Sequence, residues 1–507
     1  MIQEKGRAIR MNIDNEYVMM DVDTMRMATP FKDAVGAEDG VRLTERGTFI
    51  FDPTLEITAE VIHDFIQLHK SHRLPILLEN HYMYQGSHKI LTKEQCLNEL
   101  IQMPDNRLVV NFAKYIVDTY NGYFIGIPIK IKNEDDNVTK AIQEFIKRSD
   151  LNDNFAELSK LCAIYGNAYA YMYQGSDAKT YMTYNSPLDM FVIYDDSIEQ
   201  NPLAAVRFWE NQRKSESYIK AEVFIGNKRY IYDERTGPNL QEDNSYNVIY
   251  EGLPIIEFVE NDDRMCVFQH VKTLINQFNS ALSEKANDVE YFANAYLKIL
   301  GAKVDNATMT VMQANRVINA TGAGAQQVEI DFIQKPDADA TAEHLLDRLM
   351  DLIFIIAMVA NTTDDTYGNA SGTALEFKLQ DMRNMSIAKE RKFTSSLREV
   401  FKLWSKVPRN VPNPEAWINN TYVFTENIPR NVKEEIENAK NLEGVVTKET
   451  QLEQLSFIDD VQGEITQMEK EAQENMEKFS SLIPMNGQQT DNNVGQSEEP
   501  EDETNEV

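Results

Sequence analysis

Adjacent aspartate pairs punctuate this sequence, among them Asp195-Asp196, Asp262-Asp263, Asp364-Asp365 and Asp459-Asp460. Paired carboxylates can hold a divalent cation and promote phosphoryl chemistry. A chain with 81 acidic residues also makes such pairs by chance, and no HNH-like or H-E-x-x-H cluster accompanies them. Five of the seven histidines fall between His63 and His88, which raises a metal site. Yet His69 and His72 stand beside Lys70 and Arg73 with no carboxylate–histidine helix motif. Surface and packing histidines account for the group more simply. No G-x-x-x-x-G-K-[ST] phosphate loop is present, so ATP hydrolysis by this chain is not expected. Neither a catalytic residue nor a metal or other cofactor is expected.

Composition narrows the field further. The 507 residues exceed what one hydrophobic core usually serves, so two or more domains are expected. The 81 acids against 50 Lys and Arg leave a formal charge of −31. Coating a nucleic acid needs clustered cations, so this balance argues against it and fits a protein that avoids adhering to a polyanion. Plain solubility explains the net charge more simply. Cys96, Cys162 and Cys266 are far apart and odd in number, which favours a reducing compartment without disulfides. No cationic-then-apolar leader opens the sequence, so secretion by a standard signal is not expected. The charge-free run Leu352–Ala360 is nine residues, against about twenty for a bilayer-spanning helix, and no membrane association is expected.

The elements that would position any site are legible mainly as helical periodicity. Val267, Val271, Leu274, Ile275, Phe278 and Leu282 predict one helix. The very apolar Leu345–Val359 predicts a second, buried and packed on several sides. A third begins near Thr373, where Thr373-Ala-Leu-Glu376 has capping-box spacing, and runs to Trp404. Between the first two, Ala295–Leu300 reads as a strand and Ala307–Ala314 as a short helix. Arg316–Ala320 and Val328–Ile333 then flank a flexible tip at Thr321, Gly322, Ala323 and Gly324. Upstream, helices are predicted over Leu55–Lys70, Lys93–Gln102 and Leu108–Thr119. Short strands follow at Ala168–Tyr173, Met190–Tyr194, Ala204–Trp209, Tyr218–Ile225 and Lys228–Tyr232, with turn residues between them. Tyrosines 165, 169, 171, 173, 181 and 184 could mimic a base-stacking platform, but without interleaved cations packing is expected instead. Prolines 408, 412 and 414 end the third helix, and a helical region runs from Val432 to about Phe479. The last 22 residues hold seven acids and no Lys or Arg, and are expected to be disordered.

The order of these elements from Arg264 to Trp404 resembles the core of tailed-bacteriophage portal proteins, in the branch of long-tailed phages of Gram-positive bacteria. The likeness extends along the chain. Tyr82-Met-Tyr-Gln-Gly-Ser-His-Lys-Ile90 is similar to that family's Tyr-x-Tyr-x-Gly-x-His-x-Ile element, and Asn106–Asp118 and Gly122–Pro128 to the segments after it. Ser371–Leu379 with Glu390-Arg-Lys-Phe393 resembles the helix that follows the family's tunnel loop. Asn427–Asn431, Val445–Thr450 and Phe457–Asp460 leading into Glu464 fit its crown. Each segment is unspecific by itself; their number and order carry the resemblance.

The resemblance implies an α+β portal fold with a mixed α/β wing, helical stem, small α/β clip and helical crown. The implied divisions are an N-terminal arm (1–55), wing (56–261), stem helix (262–294), clip (295–336), second stem helix (337–360), tunnel loop (361–372), long helix (373–405), crown (406–480) and acidic tail (481–507). It further implies a homo-oligomer, a dodecamer in capsids, at one capsid vertex of the virion. Double-stranded DNA would pass through its channel during packaging and ejection. Partners would be terminase and head-completion or adaptor proteins at the clip, and major capsid and scaffold proteins at the wing. The DNA-facing loop would comprise Asn361, Thr362, Thr363, Asp364, Asp365, Thr366, Tyr367, Gly368 and Asn369, hinged at Gly368 and Gly372. Its aspartates would repel phosphate while threonine and asparagine offer weak, exchangeable hydrogen bonds, a surface suited to sliding. Lys378 is a possible phosphate contact. Solvated faces or intersubunit salt bridges are expected for the neighbouring Lys389, Arg391 and Lys392. The clip tip, Thr321–Gly324, would meet a partner. Two readings from other classes stay open here: a metal-dependent phage phosphodiesterase using the aspartate pairs, and a monomeric acidic scaffold or adaptor.

Overall fold

The computed structural model describes residues 8–10, 18–21, 35–36, 40–93, 104–213, 216–234, 241–293, 297–300, 329–332, 339–361, 372–428, 432–455, 458 and 461–482. The chain divides into two units, Met1–Asn427 and Ile428–Val507. Both helices and sheets build the first.

The first unit opens with β1 (Ala8–Arg10) paired to β2 (Val18–Asp21), then the short strands β3 (Val35–Gly36), β4 (Arg42–Leu43) and β5 (Phe49–Phe51). Helix α1 (Ala59–Leu68) starts four residues after the predicted Leu55, because the Thr58 hydroxyl accepts the Val61 N–H at 3.4 Å and caps it there. Leu55 itself stays exposed. Pro75, lacking an N–H, follows a π-helical turn at His69–Arg73, and α2 (Leu74–Gln85) continues to Gly86, whose φ of 88° closes it.

Helix α3 (Phe112–Ile125) begins later than the predicted Leu108. The N–H groups of Asn106, Leu108 and Val110 are already taken, by Asn287 Oδ1 (2.6 Å), Ser283 Oγ (2.9 Å) and Asn279 Oδ1 (2.8 Å). Four helical residues rise ~6 Å and two extended residues ~6.6 Å, so alternate amides of a strand can meet every fourth residue of a helix. Asn111 then caps α3 by accepting the Lys114 N–H at 3.0 Å. The predicted helix Lys93–Gln102 lies outside the described residues except at its first position.

Next come β6 (Lys130–Asn133), α4 (Asp136–Ser149) and α5 (Leu151–Tyr165), two helices not read from sequence although Val138, Ile142, Phe145 and Ile146 form an amphipathic set. The β-rich stretch contains all five predicted strands: β7 (Asn167–Gln174), β9 (Met190–Asp195), β10 (Pro202–Arg213), β11 (Glu216–Ile225) and β12 (Lys228–Asp233). It also contains β8 (Thr180–Asn185), β13 (Gln241–Asn247) and β14 (Ile255–Val259). One eight-stranded sheet runs β13-β12-β11-β10-β9-β5-β4-β3, antiparallel except where β5 lies parallel to β9; a second sheet runs β14-β7-β8. Gly226, at φ 58°, allows the tight turn that joins β11 to β12.

Strand β10 shows how the layers stack. Ala204, Val206 and Phe208 join Ile62, Phe65 and Ile66 of α1 in one core, while Ala205 on the other face joins Tyr169, Val192 and Ile255 between the two sheets. Most of the tyrosine run therefore serves packing. Tyr169 is buried between the sheets, and Tyr171, Tyr173 and Tyr181 stack in sequence with centroids 6.0 and 5.6 Å apart.

The helices that follow are α6 (Lys272–Ala293), α7 (Asp339–Ala357) and α8 (Gly372–Ser405). Val267 precedes α6 rather than belonging to it, and a 3₁₀ turn at Gln269–Val271 leads in. Strands β15 (Leu297–Leu300) and β16 (Glu329–Phe332) pair antiparallel, within the two predicted strands; the segments predicted at 307–320 are outside the described residues. Phe112 packs edge-on against Phe278 of α6 and Phe354 of α7, with centroids at 5.0 and 5.8 Å. A third core gathers α4, α5, the β14-β7-β8 sheet and the second half of α8, including Phe145, Phe155, Phe258, Phe393, Phe401 and Trp404. After the prolines, β17 (Asn420–Val423) pairs with β6, so residues 406–427 pack in the first unit.

The second unit holds α9 (Val432–Asn441), α10 (Lys448–Glu453) and α11 (Val461–Leu482). Thr447 caps α10 by accepting the Thr450 N–H at 3.3 Å, and Gln451 donates to the Ala439 carbonyl at 2.7 Å.

Candidate functional site

The aspartate pairs do not converge. Asp195 is consumed by a local turn, accepting from Ser197 Oγ (2.6 Å) and Asn201 N (2.9 Å), and the Ser197 hydroxyl above all holds its carboxyl below the usual range. Asp196 faces Arg42 at 3.3 Å, Asp262 pairs with Lys392, and Asp263 faces Arg46 at 3.5 Å. The other two pairs lie outside the described residues. Among the described residues no group of three His, Cys, Asp or Glu could hold a metal ion.

The histidine group is equally dispersed in role. His69 is buried in an aromatic box, 5.3 Å from Phe191 and 5.4 Å from Phe208, and its Nε2 donates to the Leu188 carbonyl at 3.2 Å. Burial pushes its pKa down to about 4, so it is neutral. His81 meets the Tyr165 hydroxyl at 2.7 Å, and His88 is buried. Cys162 and Cys266 are buried free thiols, whose pKa burial pushes up; Cys96 is outside the described residues.

The segment predicted to face DNA is flanked by two described ends. Helix α7 stops at Ala357, and Met358 takes a left-handed conformation at φ 55°. The Ala360 carbonyl accepts the Tyr115 hydroxyl at 3.3 Å, while the Tyr115 ring sits edge-on to Phe354 at 5.5 Å. Asn361 is therefore delivered from a point tied to α3. At the far end Gly372 is the first residue of α8, one before the predicted Thr373, and Lys378 is exposed on the second turn. Thr362, Thr363, Asp364, Asp365, Thr366, Tyr367, Gly368 and Asn369 lie outside the described residues, as do Thr321, Gly322, Ala323 and Gly324 of the predicted tip.

Two expectations about the flanking helices are corrected. Helix α7 is not covered on several sides within one subunit. Leu346, Leu349, Ile353 and Ala357 are buried, but Leu345, Ile356 and Met358 are exposed and Ile355 is 66% exposed. Val289 on α6 and Phe377 on α8, the latter 77% exposed, are further uncovered apolar side chains. The second correction concerns Lys389, which is 1% exposed rather than on a solvated face. Its ammonium lies 2.7 Å from Glu260 Oε2, donates to the Ser159 carbonyl at 3.1 Å, and sits 5.0 Å from the Tyr120 and Phe124 rings. The Glu260 contact is an ion pair rather than an aligned hydrogen bond. Burial raises the Glu260 pKa, only partly opposed by Lys389 and Tyr120. Arg391 is exposed, and Lys392 pairs with Asp262 within the subunit.

A second buried pair was also not read from sequence. Arg264 grips Glu257 with two hydrogen bonds of 2.9 and 2.8 Å, and the same carboxylate accepts from Tyr194 (2.7 Å) and Asn167 (2.8 Å). Burial alone would raise the Glu257 pKa, but the Arg264 charge and these donors outweigh it and hold it low. Among the described residues no helix is long and apolar enough to cross a membrane.

The described residues thus offer a helical and sheet scaffold with uncovered apolar helix faces, and no assembled catalytic group among them. Comparison with known proteins agrees with that character. The chain matches the family described as "Phage portal protein, SPP1 Gp6-like" over residues 63–478. All segments on which the sequence resemblance rests, from Tyr82 to Glu464, lie inside that span. It is also 23% identical over 426 residues to the portal protein of Bacillus phage SPP1, covering 78% of this chain and 82% of that relative. The chain belongs to the SPP1 Gp6-like family of phage portal proteins, structural components of the capsid that serve DNA packaging rather than enzymes.

Proposed function

We propose that twelve copies close into a ring at one capsid vertex, assembled in the host bacterial cytoplasm, with double-stranded DNA moving through the central channel. The observation that carries the ring is the uncovered apolar surface of α6, α7 and the start of α8: Val289, Leu345, Ile355, Ile356, Met358 and Phe377. A single subunit leaves these side chains in water, and a neighbouring copy would remove them from it. In this reading α6 and α7 are the stem, the β15–β16 pair is the base of the clip, and residues 56–261 form the wing. The crown spans 406–480, with the helices from α9 onward as its separate part.

Asn361–Asn369 would line the channel and bend at Gly368 and Gly372, with Lys378 behind the loop as a phosphate contact. The acidic, hydroxyl-rich loop would keep the duplex centred without gripping it. The clip, with Thr321, Gly322, Ala323 and Gly324 at its tip, would dock terminase during packaging and head-completion or adaptor proteins afterwards. The wing would meet the major capsid and scaffold proteins. Light scattering after size exclusion, with negative-stain images, tests the assembly. A closed particle with a central hole is expected, and a monodisperse single subunit would contradict it.

A further inference from the structure

We propose that Lys389 and Glu260 form a buried register latch, which fixes α8 at one axial position so that its first half, up to Ala388, can bend from that point but not slide past it. The pair stands at a boundary in the helix. Beyond it Phe393, Leu397, Val400, Phe401 and Trp404 are buried in the core. Before it Leu379, Met382 and Ser386 are buried but lie outside that core, and Phe377, Lys378, Asp381, Arg383, Asn384 and Ile387 are exposed, over a stretch from Gly372 that rises ~25 Å.

The pocket is specific for a cation at this one position. Nζ meets a carboxylate, a backbone carbonyl and two aromatic faces supplied by α3, α5 and the residue after β14. Two further ties run from the same face of α8: Lys392 to Asp262, and Ser396 Oγ to the Glu257 carbonyl at 2.8 Å. Sliding by one residue moves the ammonium ~1.5 Å along the axis and turns it by ~100°, out of the pocket, which leaves Glu260 buried and alone. Only a full-turn slide would bring a second lysine, Lys392, to Glu260. That move displaces Phe393 from Phe258, Phe124 and Phe155, whose rings surround it at 4.7, 5.7 and 6.3 Å. An apolar pair of similar volume would hold the helix as firmly, because desolvating both charges offsets most of their attraction. It would not penalise every other register. The inference concerns the fold of one subunit and stands whether or not the ring reading holds.

Amide hydrogen exchange on the full chain tests it, with K389M, E260L and the double variant K389M/E260L. Each single variant leaves one buried charge unpaired and should accelerate exchange between Phe393 and Trp404 by about 100-fold or more. The double variant should return that segment to within about tenfold of wild type, while amides from Phe377 to Ala388 remain at least about tenfold faster than wild type. Should a single variant fail to fold, the double variant alone decides by the same comparison. Wild-type protection throughout α8 in the double variant would overturn the register role. So would a double variant as unprotected as the singles, which would make the pair a stabilising contact only.

Discussion

His69 sits in its aromatic box at 1% exposure, with Nε2–H committed to Leu188 and Nδ1 without a partner. Burial depresses its pKa from 6.5 to about 4, so the unfolded chain binds a proton there that the folded chain refuses. The stability this confers is complete above pH 6.5 and is lost as pH falls toward 4, roughly 3 kcal/mol in all. About 2 kcal/mol of it should disappear between pH 7 and pH 5. Urea unfolding of wild type and His69→Phe at both values checks this: the variant should lose less stability on acidification by that margin, and parallel losses would refute it. Gly166 offers a steric counterpart. At φ 92° a side chain is strained, and an added Cβ would collide with the Arg264 carbonyl. Gly166→Ala should lower stability by several kcal/mol, read as a fall in melting temperature. On the proposed channel face, replacing Asp364 and Asp365 with Lys should slow packaging, and an unchanged packaging rate and DNA retention would count against a non-gripping lining.

At the scale of elements, what could be read in advance followed from periodicity. Helix α8 was legible because Leu379, Met382, Leu397, Phe401 and Trp404 recur on one face, and the pairing strands β11 and β12 because Gly226-Asn227 separates two apolar runs. Strand β13, Gln241–Asn247, has no apolar alternation, since it lies at a sheet edge and borrows its order from β12. Lys389 looks like a surface charge in the sequence because its partner Glu260 is remote along the chain, and only tertiary packing joins them. The start of α3 was misplaced for a similar reason: the Asn279, Ser283 and Asn287 ladder on α6 claims the amides that would have begun a helix at Leu108. Asn279→Ala should therefore cost about 1–3 kcal/mol by stranding the half-buried Val110 N–H, measurable by chemical denaturation. The uncovered side of α7 makes the opposite prediction. Ile355→Asp with Ile356→Asp should leave the subunit's melting temperature nearly unchanged, within about 0.5 kcal/mol per site, yet prevent assembly. Normal assembly of that variant would remove α7 from the interface.

For the molecule as a whole, the acidic balance and the helical order from Arg264 to Trp404 were legible from the start, and the family match spans the same ground. The loop and tip that would touch DNA and partners carry few large apolar residues, so neither periodicity nor packing reveals their geometry. Identity at that scale rests on arrangement along the chain, and function on association. The decisive measurement is the oligomeric state of the purified full-length chain, by light scattering and electron microscopy, alone and co-expressed with its shell proteins. A closed ring-shaped particle with an open axial hole is the predicted result. A single subunit under both conditions would contradict the account at its root.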